Sequence, residues 1–472
     1  MATVVVLGAG MNGLTTGMLL AKDGHDVTVL ERDPAPPGTE AWTSWQRPGV
    51  SQFRHLHFVL PRWHREIEEA LPEVVDELVA AGGRPINLIA VLPERVRGAM
   101  RSSDRQYDTV TARRPVLEAA VAAAAGRLPG LAVVRGTGVV GFVTRDGALP
   151  GVPHVSGVRL AGGTEVPADL VVDCTGRRSR LPQWLAAAGA RRALEERETT
   201  GFTYYGRHFR GTADRQPAVL TRLLQHYDSL TLVTLPADNG TWAVGLIASS
   251  ADRRLRALRD PAVWQSVLAR YPLAAHWGSP AHGAEPITGV DVMAGLEDRH
   301  RRLVLDGDPI ATGIVAVGDA WAFTNPALGR GLSIGVVHAR ALQQLLRDVD
   351  PTDAEKLVRR FDEVTATEVE PLYRMTLAFD RHRLAEIAGD IGGVPYETAD
   401  PAWAMTRALT AAGAVSPDAV RMATSIGSLL ATPAEVFADP AAAGRIMALG
   451  AGAPQYPLPG PDRAGLLTAI EG

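Results

Sequence analysis

Cysteine, lysine and long apolar runs are scarce in this 472-residue sequence, and each scarcity excludes a class of protein or site. Cys174 is the single cysteine, which excludes an internal disulfide framework and a zinc site built on cysteines, and we expect no metal site. Its position in the run LVVDC predicts a buried thiol. No apolar stretch reaches the roughly 20 residues that a membrane-spanning helix needs, so we expect no integral membrane segment.

Clustered positive charge is also missing. The formal net charge is -4, and Lys22 and Lys356 are the only lysines among 48 basic residues that are spread along the chain. A nucleic-acid partner requires clustered Lys and Arg, so we exclude one. The N-terminus MATVVVLGAG lacks the charged leader and cleavage site of a signal peptide, and we expect a cytoplasmic protein.

The sequence is otherwise that of a globular protein with more than one structural unit. Apolar residues make up 46% and charged residues 21%, both ordinary values. The first unit begins with a βαβ pattern. An apolar strand over 3–7 precedes a glycine turn and a helix to about Lys22, and a second strand follows over 26–30.

The turn between the first strand and the helix reads Gly8-Ala-Gly10-Met-Asn-Gly13, a dinucleotide-binding pattern. Gly8 permits the tight turn, Gly10 lets a pyrophosphate approach the backbone, and Gly13 allows the helix to pack closely on the strand. Free N–H groups at the helix N-terminus would face the phosphates. Glu31 ends the second strand, where a carboxylate accepts hydrogen bonds from a ribose diol. The pattern by itself does not distinguish FAD from NAD.

Further along the chain, the pattern changes twice. Pro34 to Gly49 is predicted as a loop, and Pro61 to Ala81 as one helix. Alternating segments over about 195–300 predict an antiparallel sheet, with Asp238-Asn239-Gly240 as a hairpin turn. A buried strand returns at 314–317, a helix follows over about 331–347, and the pattern after Pro351 is mostly helical.

A second motif, GIVAVGDA at 313–320, resolves the choice of cofactor. It resembles the second FAD fingerprint of the p-hydroxybenzoate-hydroxylase-like flavoproteins. By that resemblance Asp319 binds the ribityl chain, and the segment 325–333 brings backbone N–H groups to the flavin pyrimidine edge. A helix N-terminus suits that edge, because reduced flavin carries negative charge there. The resemblance also implies contacts to FAD from the following residues: Arg32, Arg114 (with Arg113 as the alternative), Pro326, Gly329, Gly331 and Leu332.

The fold implied is α/β, a Rossmann-like FAD-binding domain with an inserted antiparallel substrate sheet and a helical C-terminal region. We expect the FAD-binding domain to span 1–190 and 301–350, the sheet domain 191–300 and the helical region 351–472.

The motif DCTGRRS at 173–179 resembles the turn that lies against the FAD adenosine in this superfamily. The aromatic hydroxylases use an Asp and an Arg of this motif for both FAD and the nicotinamide cofactor. Thr175 and Pro182 stand at those positions here. Electrons are therefore expected ultimately from NAD(P)H, either directly or through a separate flavin reductase.

With the segment Arg54-His55-Leu56-His57, these motifs resemble bacterial flavin monooxygenases that include the polyether epoxidases, with squalene epoxidase and styrene monooxygenase as distant relatives. The likeness covers roughly residues 1–350. Arg54, His55 and His57 are the catalytic candidates. A flavin halogenase is improbable, since the Trp-x-Trp motif is missing and neither lysine is at the position that such an enzyme requires.

The resemblance implies that reduced FAD reacts with O2 to a C4a-hydroperoxide, which transfers one oxygen atom to an apolar, natural-product-like substrate. The product would be an epoxide or a hydroxylated ring. We expect the substrate between the flavin and the sheet, against an aromatic wall of Phe202, Tyr204, Tyr205 and Trp242. A double-bond reductase of the geranylgeranyl-reductase type is the alternative, and a non-catalytic flavin-binding module is a third possibility.

Overall fold

A computed structural model describes residues 1–36, 40–211 and 216–471. Part of the loop predicted at 34–49 and part of the β region predicted at 195–300 lie outside the described residues. The centre of the fold is a five-stranded parallel sheet. Its strands, in spatial order, are Ile314–Ala316, Leu170–Asp173, Thr3–Leu7, Asp26–Leu30 and Leu131–Val134.

Both faces of the parallel sheet are covered, which explains why its strands are almost wholly apolar. Helices Met11–Lys22, Arg114–Arg127 and Gly331–Asp348 pack on one face. An antiparallel three-stranded sheet covers the other face, with strands Val139–Asp146, Pro153–Leu160 and Glu165–Pro167. Val4 and Val6 point to the helical face and Val5 to the opposite face, as the period of two requires.

The helix predicted over 61–81 is two helices, Pro61–Ala70 and Pro72–Ala80. The break lies at Leu71, whose φ of -139° and ψ of 54° are not helical. Pro72 explains it, because proline lacks an N–H and disfavours the helical conformation in the residue that precedes it. The apolar period runs through the break, so the prediction of one continuous helix was wrong.

A second, antiparallel sheet stands beside the first. Its strands are Leu224–Tyr227, Leu230–Pro236, Thr241–Ser249, Phe202–Gly211 and Ala284–Pro286, with Asp291–Met293 also paired to Phe202–Gly211. The predicted hairpin turn is present, since Pro236 pairs with Trp242 and both Asn239 and Gly240 have positive φ, 48° and 69°. We call this the substrate sheet, after the role that the sequence predicts for it.

The substrate sheet has two different faces. Its outer face packs against the helices Pro261–Leu268 and Arg463–Glu471 in a closed apolar cluster. Its inner face is turned towards the C-terminal ends of the parallel strands. The remaining strands form small antiparallel sheets: Leu194–Thr199 with Glu297–Arg302 and Ala322–Phe323, Arg84–Asn87 with Asp108–Thr111, and Val304–Leu305 with Asp308–Pro309.

Helices dominate the rest of the chain. The C-terminal helices are Ala354–Val364, Glu370–Gly392, Pro401–Ala412, Pro417–Gly427, Pro433–Val436, Pro440–Gly450 and Arg463–Glu471. Short helices occur earlier at Ala41–Ser44, Glu94–Arg97 and Leu181–Ala187. The predicted α/β fold class with an antiparallel sheet and a helical C-terminal region is confirmed. Within the described ranges, no helix combines the length and the apolar character needed to cross a bilayer.

Candidate active site

One mostly apolar cavity of about 800 Å³ lies where three parts of the fold meet. Its floor is the carboxyl edge of the parallel sheet, which is the usual ligand position in open α/β sheets. The inner face of the substrate sheet forms one wall, and helices Glu370–Gly392 and Pro401–Ala412 form another.

The glycine turn at 8–13 borders the cavity, and each glycine has a distinct structural reason. Gly8 has φ 94°, and a Cβ there would lie 2.9 Å from the Cys174 carbonyl oxygen. A Cβ at Gly13 would lie 1.8 Å from the Gly8 oxygen, so only glycine fits. A Cβ at Gly10 would meet no protein atom within 4 Å. Gly10 is also the N-cap of helix Met11–Lys22, which has no side-chain cap. This open helix N-terminus fits a diphosphate group.

Glu31 lines the cavity beside this turn and is held by three partners. Its carboxylate accepts hydrogen bonds from the N–H groups of Ala9 at 2.8 Å and Asp33 at 3.0 Å, and it lies 2.5 Å from Arg47 Nη2. Arg47 is buried and also binds Glu118. Burial lowers the pKa of Arg47, but the surrounding carboxylates outweigh this and raise it above its usual value. Sequence reasoning missed Arg47, which lies in an irregular loop without any motif.

Arg114 begins helix Arg114–Arg127 and lines the cavity, with its Nε 2.6 Å from Glu118 Oε1. Arg113, the alternative contact, instead binds Asp238, with Nη2 2.6 Å from Oδ2, and is not part of the lining. Burial raises the pKa of Glu118, but the charges of Arg114 and Arg47 hold it below its usual range. The arrangement leaves Arg114 at the cavity wall. Arg32 is exposed at the same edge.

Asp319 faces the cavity at the end of the strand that precedes it. Its carboxylate is half-buried and, within the part of the chain that the structure describes, accepts no hydrogen bond. Removal from water raises its pKa, and the positive charges of Arg114 and Arg177 oppose the rise. A desolvated carboxylate without a protein donor fits a ligand rich in hydroxyl groups, as the ribityl chain is.

The loop after Asp319 leads into an open helix N-terminus. Asn325 caps the turn Pro326–Leu328 through its side-chain oxygen, which accepts from the Ala327 N–H at 3.3 Å and from the Tyr204 hydroxyl. Gly329 has φ 67°, and helix Gly331–Asp348 then starts without a side-chain cap. The predicted residues of this loop all line the cavity: Pro326, Gly329, Gly331 and Leu332. The free N–H groups fit an anionic ligand edge.

Buried charges support this loop from behind. Asp298 accepts a hydrogen bond from the Asn325 N–H at 2.7 Å, and burial raises the pKa of Asp298 to about 6. Burial likewise raises the pKa of Asp380 well above its usual value. Arg330, whose pKa burial lowers to about 10, donates to Thr376 Oγ1 at 3.1 Å. Sequence reasoning missed this cluster, because its members come from distant parts of the chain.

The segment 54–57 crosses the inner face of the substrate sheet. Leu56 lies on two glycines: a Cβ at Gly206 would be 1.8 Å from its Cδ1, and a Cβ at Gly245 would be 2.9 Å from its Cδ2. His55 and His57 flank Leu56 and line the cavity. The two glycines therefore allow the segment to approach the sheet closely.

His55 and His57 are neutral imidazoles in this setting. Burial lowers the pKa of both, and that of His57 falls to about 3. One ring nitrogen of each, Nδ1 of His55 and Nε2 of His57, is buried without a hydrogen-bond partner in the described structure. Arg54 does not line the cavity. It donates to the carbonyl oxygens of Trp42 and Trp45 and so holds the preceding loop.

The predicted aromatic wall is divided between the two faces of the substrate sheet. Tyr204 lines the cavity, and Phe202 packs on the same face outside the lining. Tyr205 and Trp242 belong to the outer apolar cluster, where the Trp242 Nε1–H donates to the Trp277 oxygen at 2.7 Å. Side chains alternate along a strand, so Tyr204 and Tyr205 cannot share a face. Tyr205 and Trp242 therefore face away from the cavity and are not part of its wall.

The turn after Leu170–Asp173 borders the cavity beside the glycine turn at 8–13. The Asp173 carboxylate accepts from the Thr175 N–H at 2.8 Å and from its hydroxyl at 2.5 Å. Arg177 donates to Ser51 Oγ at 2.6 Å. Pro182 lies in the first turn of helix Leu181–Ala187. Residues of this turn that line the cavity are Thr175, Gly176, Arg177, Arg178 and Arg180.

Much of the cavity wall was not predicted from the sequence. The missed lining residues on the substrate sheet are Arg222, Leu224, His226, Val233 and Ile247. The missed residues on the C-terminal helices include Met375, Phe379, His382, Trp403 and Leu409. The spacing of Leu224 and His226, two residues apart on one strand, is a sequence signal for one strand face. The helical residues had no such signal.

Comparison with known proteins agrees with this geometry. Residues 3–91 match the family profile described as FAD dependent oxidoreductase. The protein Rv3254 of Mycobacterium tuberculosis is 29% identical over 411 residues, which cover 81% of each chain.

Two solved structures share the fold at low sequence identity. PqsL of Pseudomonas aeruginosa, described as a probable FAD-dependent monooxygenase, is 17% identical with a TM-score of 0.55, over 82% of this chain and 96% of PqsL. The C294A mutant of 2-methyl-3-hydroxypyridine-5-carboxylic acid oxygenase is 16% identical with a TM-score of 0.54, over 82% of this chain and 92% of that enzyme. Residues 3–91 thus resemble that family, and the chain shares the fold of the two solved structures.

Proposed function

We propose that this protein is a flavin-dependent monooxygenase that epoxidises or hydroxylates a small organic substrate. The observation that carries the proposal is the continuity of the cavity. One cavity extends from the open helix N-termini and Asp319 to the inner face of the substrate sheet. A cofactor at the first end would therefore have its reactive ring next to a substrate at the other.

The residues present fit FAD along the whole length of that cofactor. Gly10 and the first helix would hold the diphosphate, Glu31 the adenosine ribose and Asp319 the ribityl chain. The backbone N–H groups at Gly331 and Leu332 would meet the pyrimidine edge. When bound, FAD supplies the reaction of its reduced ring with O2, which the protein side chains cannot supply.

The side chains of the protein would position the substrate and exclude water from the space beside the flavin ring. Apolar side chains of the substrate sheet and of helices Glu370–Gly392 and Pro401–Ala412 exclude water from the space beside the ring. Neutral His55 and His57 add hydrogen-bonding groups without adding charge. Arg54 would act indirectly, through the loop that it holds.

The proposal also covers the substrate class, the argument against a halogenase and the source of electrons. The motif likeness favours the epoxidase-like monooxygenases and an apolar, natural-product-like substrate. Neither lysine lines the cavity, and Lys22 is bound to Glu73, which argues against a halogenase. Electrons would come from NAD(P)H, with a separate flavin reductase favoured by Thr175 and Pro182.

Rapid mixing of the reduced holoenzyme with O2 tests the reaction class. A monooxygenase shows a transient absorbance that is distinct from both reduced and oxidised flavin, and it incorporates 18O from 18O2 into product. Direct conversion from reduced to oxidised flavin, together with anaerobic turnover of an alkene, would favour the double-bond reductase instead. Slow reduction without turnover of any substrate would indicate a flavin-binding module.

A further inference from the structure

Arg222 lies at the far edge of the substrate sheet and borders the cavity. It precedes the strand Leu224–Tyr227, which is the edge strand of that sheet. Leu224 pairs with Val233, and the Thr234 N–H donates to the Leu223 oxygen at 2.9 Å, so the pairing extends one residue towards Arg222. Arg222 and Leu224 both line the cavity.

Arg222 differs from the fully buried arginines because its guanidinium has no protein partner of any kind in the described structure. It is half-buried, yet within the described ranges its guanidinium donates no hydrogen bond and no carboxylate lies within ion-pair distance. Five of the fully buried arginines each pair with a carboxylate: Arg47, Arg113, Arg301, Arg383 and Arg421. The other two are Arg207, which lies over the rings of Phe209 and Trp264, and Arg330, which donates to Thr376 Oγ1. A desolvated cation without a partner is costly, so its retention at a cavity wall indicates an anionic ligand.

The surroundings of Arg222 do not supply that negative charge. His226, on the same strand face as Leu224, shares a hydrogen bond with Thr231 at 3.0 Å, and its ring lies 5.4 Å from that of Phe379. Burial, followed by the charges of Arg383 and Arg222, lowers the pKa of His226 well below its usual value. His226 is therefore neutral. The carboxylate of Asp400 also lines the cavity, but it is bound to His382 Nε2 at 2.9 Å and not to Arg222.

We propose that the substrate is an organic carboxylate whose acid group binds Arg222. This inference rests on the proposed function, because it assigns the wall of the same cavity to the substrate. A planar guanidinium offers two parallel N–H donors that match the two carboxylate oxygens. One positive charge balances one carboxylate, whereas a phosphate dianion would leave an uncompensated charge. The carbon skeleton then lies along Leu224, Val233 and Ile247.

Calorimetric titration of the FAD-loaded protein with matched pairs of probes tests the proposal. The pairs are 2-naphthoate with 2-naphthamide and decanoate with decanamide, which differ in charge but little in shape. We expect the wild-type protein to bind the better-fitting acid about tenfold to hundredfold more tightly than its amide. Arg222→Met should abolish this preference and leave the affinity for the amide unchanged, while Arg222→Lys should retain part of it.

Two further measurements keep the outcome unambiguous. Arg253→Met, at an exposed position outside the cavity lining, should keep the wild-type preference, and thermal unfolding reports whether each variant is folded. Equal affinity for acids and amides in the wild-type protein would overturn the proposal, as would a preference that survives Arg222→Met. The binding test needs neither O2 nor turnover. If the acids show no preference but the reduced enzyme reacts with O2 as a monooxygenase does, only the carboxylate proposal fails. If the acids bind preferentially but no oxygen transfer occurs, only the monooxygenase proposal fails.

Discussion

The guanidinium of Arg47 lies 2.5 Å from the carboxylate of Glu31, and both side chains are buried at the cavity wall. Glu31 follows the strand Asp26–Leu30 of the parallel sheet, whereas Arg47 lies in the irregular loop further along the chain. Two backbone N–H groups also bind this carboxylate, so it is held in one orientation before any ligand arrives. A pre-oriented acceptor binds a ribose diol without further ordering of the side chain.

Glu31→Ala should therefore weaken FAD binding about tenfold to hundredfold, because the ribose loses an acceptor and two buried N–H groups lose theirs. Glu31→Asp should be milder. Fluorescence titration of the apoprotein with FAD gives both affinities, and Glu285→Ala, at an exposed position, is the control. Unchanged affinity in Glu31→Ala would mean that the ribose lies elsewhere.

Asp319→Ala should also reduce FAD retention, by about 1–3 kcal/mol of binding free energy, since ribityl hydroxyls would lose their acceptor. Asp348→Ala, at the exposed end of helix Gly331–Asp348, should leave retention unchanged. The bound fraction is read from the flavin absorbance after gel filtration. A colourless wild-type protein that gains no FAD on reconstitution would contradict the whole assignment.

The contact between Leu56 and the substrate sheet predicts a compensating pair of substitutions. Gly206→Ala adds a Cβ that would lie only 1.8 Å from Leu56 Cδ1. Because this contact is a steric clash, the substitution should destabilise the fold by about 1–3 kcal/mol. Adding Leu56→Ala should relieve the clash. Urea unfolding of the two single variants and the double variant measures the coupling. Additive effects would show that segment 54–57 does not rest on this sheet.

Asp298 predicts a pH dependence of stability. Its pKa is about 6 in the folded protein against an ordinary value of 3.8, so protonation favours the folded state. The ionised carboxylate costs about 3 kcal/mol above pH 6, and this cost disappears as the pH falls towards 4. Asp298→Asn is neutral at every pH and keeps the acceptor for the Asn325 N–H.

The Asp298→Asn variant should thus be more stable than wild type at pH 8, and the difference should shrink at pH 5. Denaturant unfolding at both pH values measures it. Asp306→Asn, in the exposed turn after Val304–Leu305, should show no such trend. A difference that does not change with pH would refute the assignment of a raised pKa to Asp298.

The electron source is open to direct measurement. We expect NADH and NADPH to reduce the isolated enzyme slowly, and an added flavin reductase or dithionite to reduce it quickly. A charge-assisted contact to the nicotinamide cofactor contributes roughly 1.5–3 kcal/mol, and Pro182 cannot make one. Anaerobic mixing with NADPH, with and without a bound probe, decides the matter. Rapid bleaching without a partner protein would place the enzyme with the single-component hydroxylases.

Local sequence determined the end of the cavity to which we assign the cofactor. The turn at Gly8 needs a positive φ, and Gly13 needs the absence of a Cβ, so both positions are readable from residue type alone. Glu31 and Asp319 each follow a buried strand that leads to one edge of one sheet. Short-range rules of strand, turn and helix were sufficient there, because each motif is contiguous in the chain.

Tertiary structure alone decided the end of the cavity to which we assign the substrate. Tyr204 and Tyr205 are both tyrosines, so residue type does not tell which of them faces the cavity. The strand register and the elements that pack on each face of the sheet decide it. Arg47 meets Glu118 across 71 residues, and Arg330 meets Thr376 across 46. The wall formed by Phe379 and Trp403 depends on where the C-terminal helices dock. Such contacts depend on packing between segments distant in the chain, which no local pattern encodes.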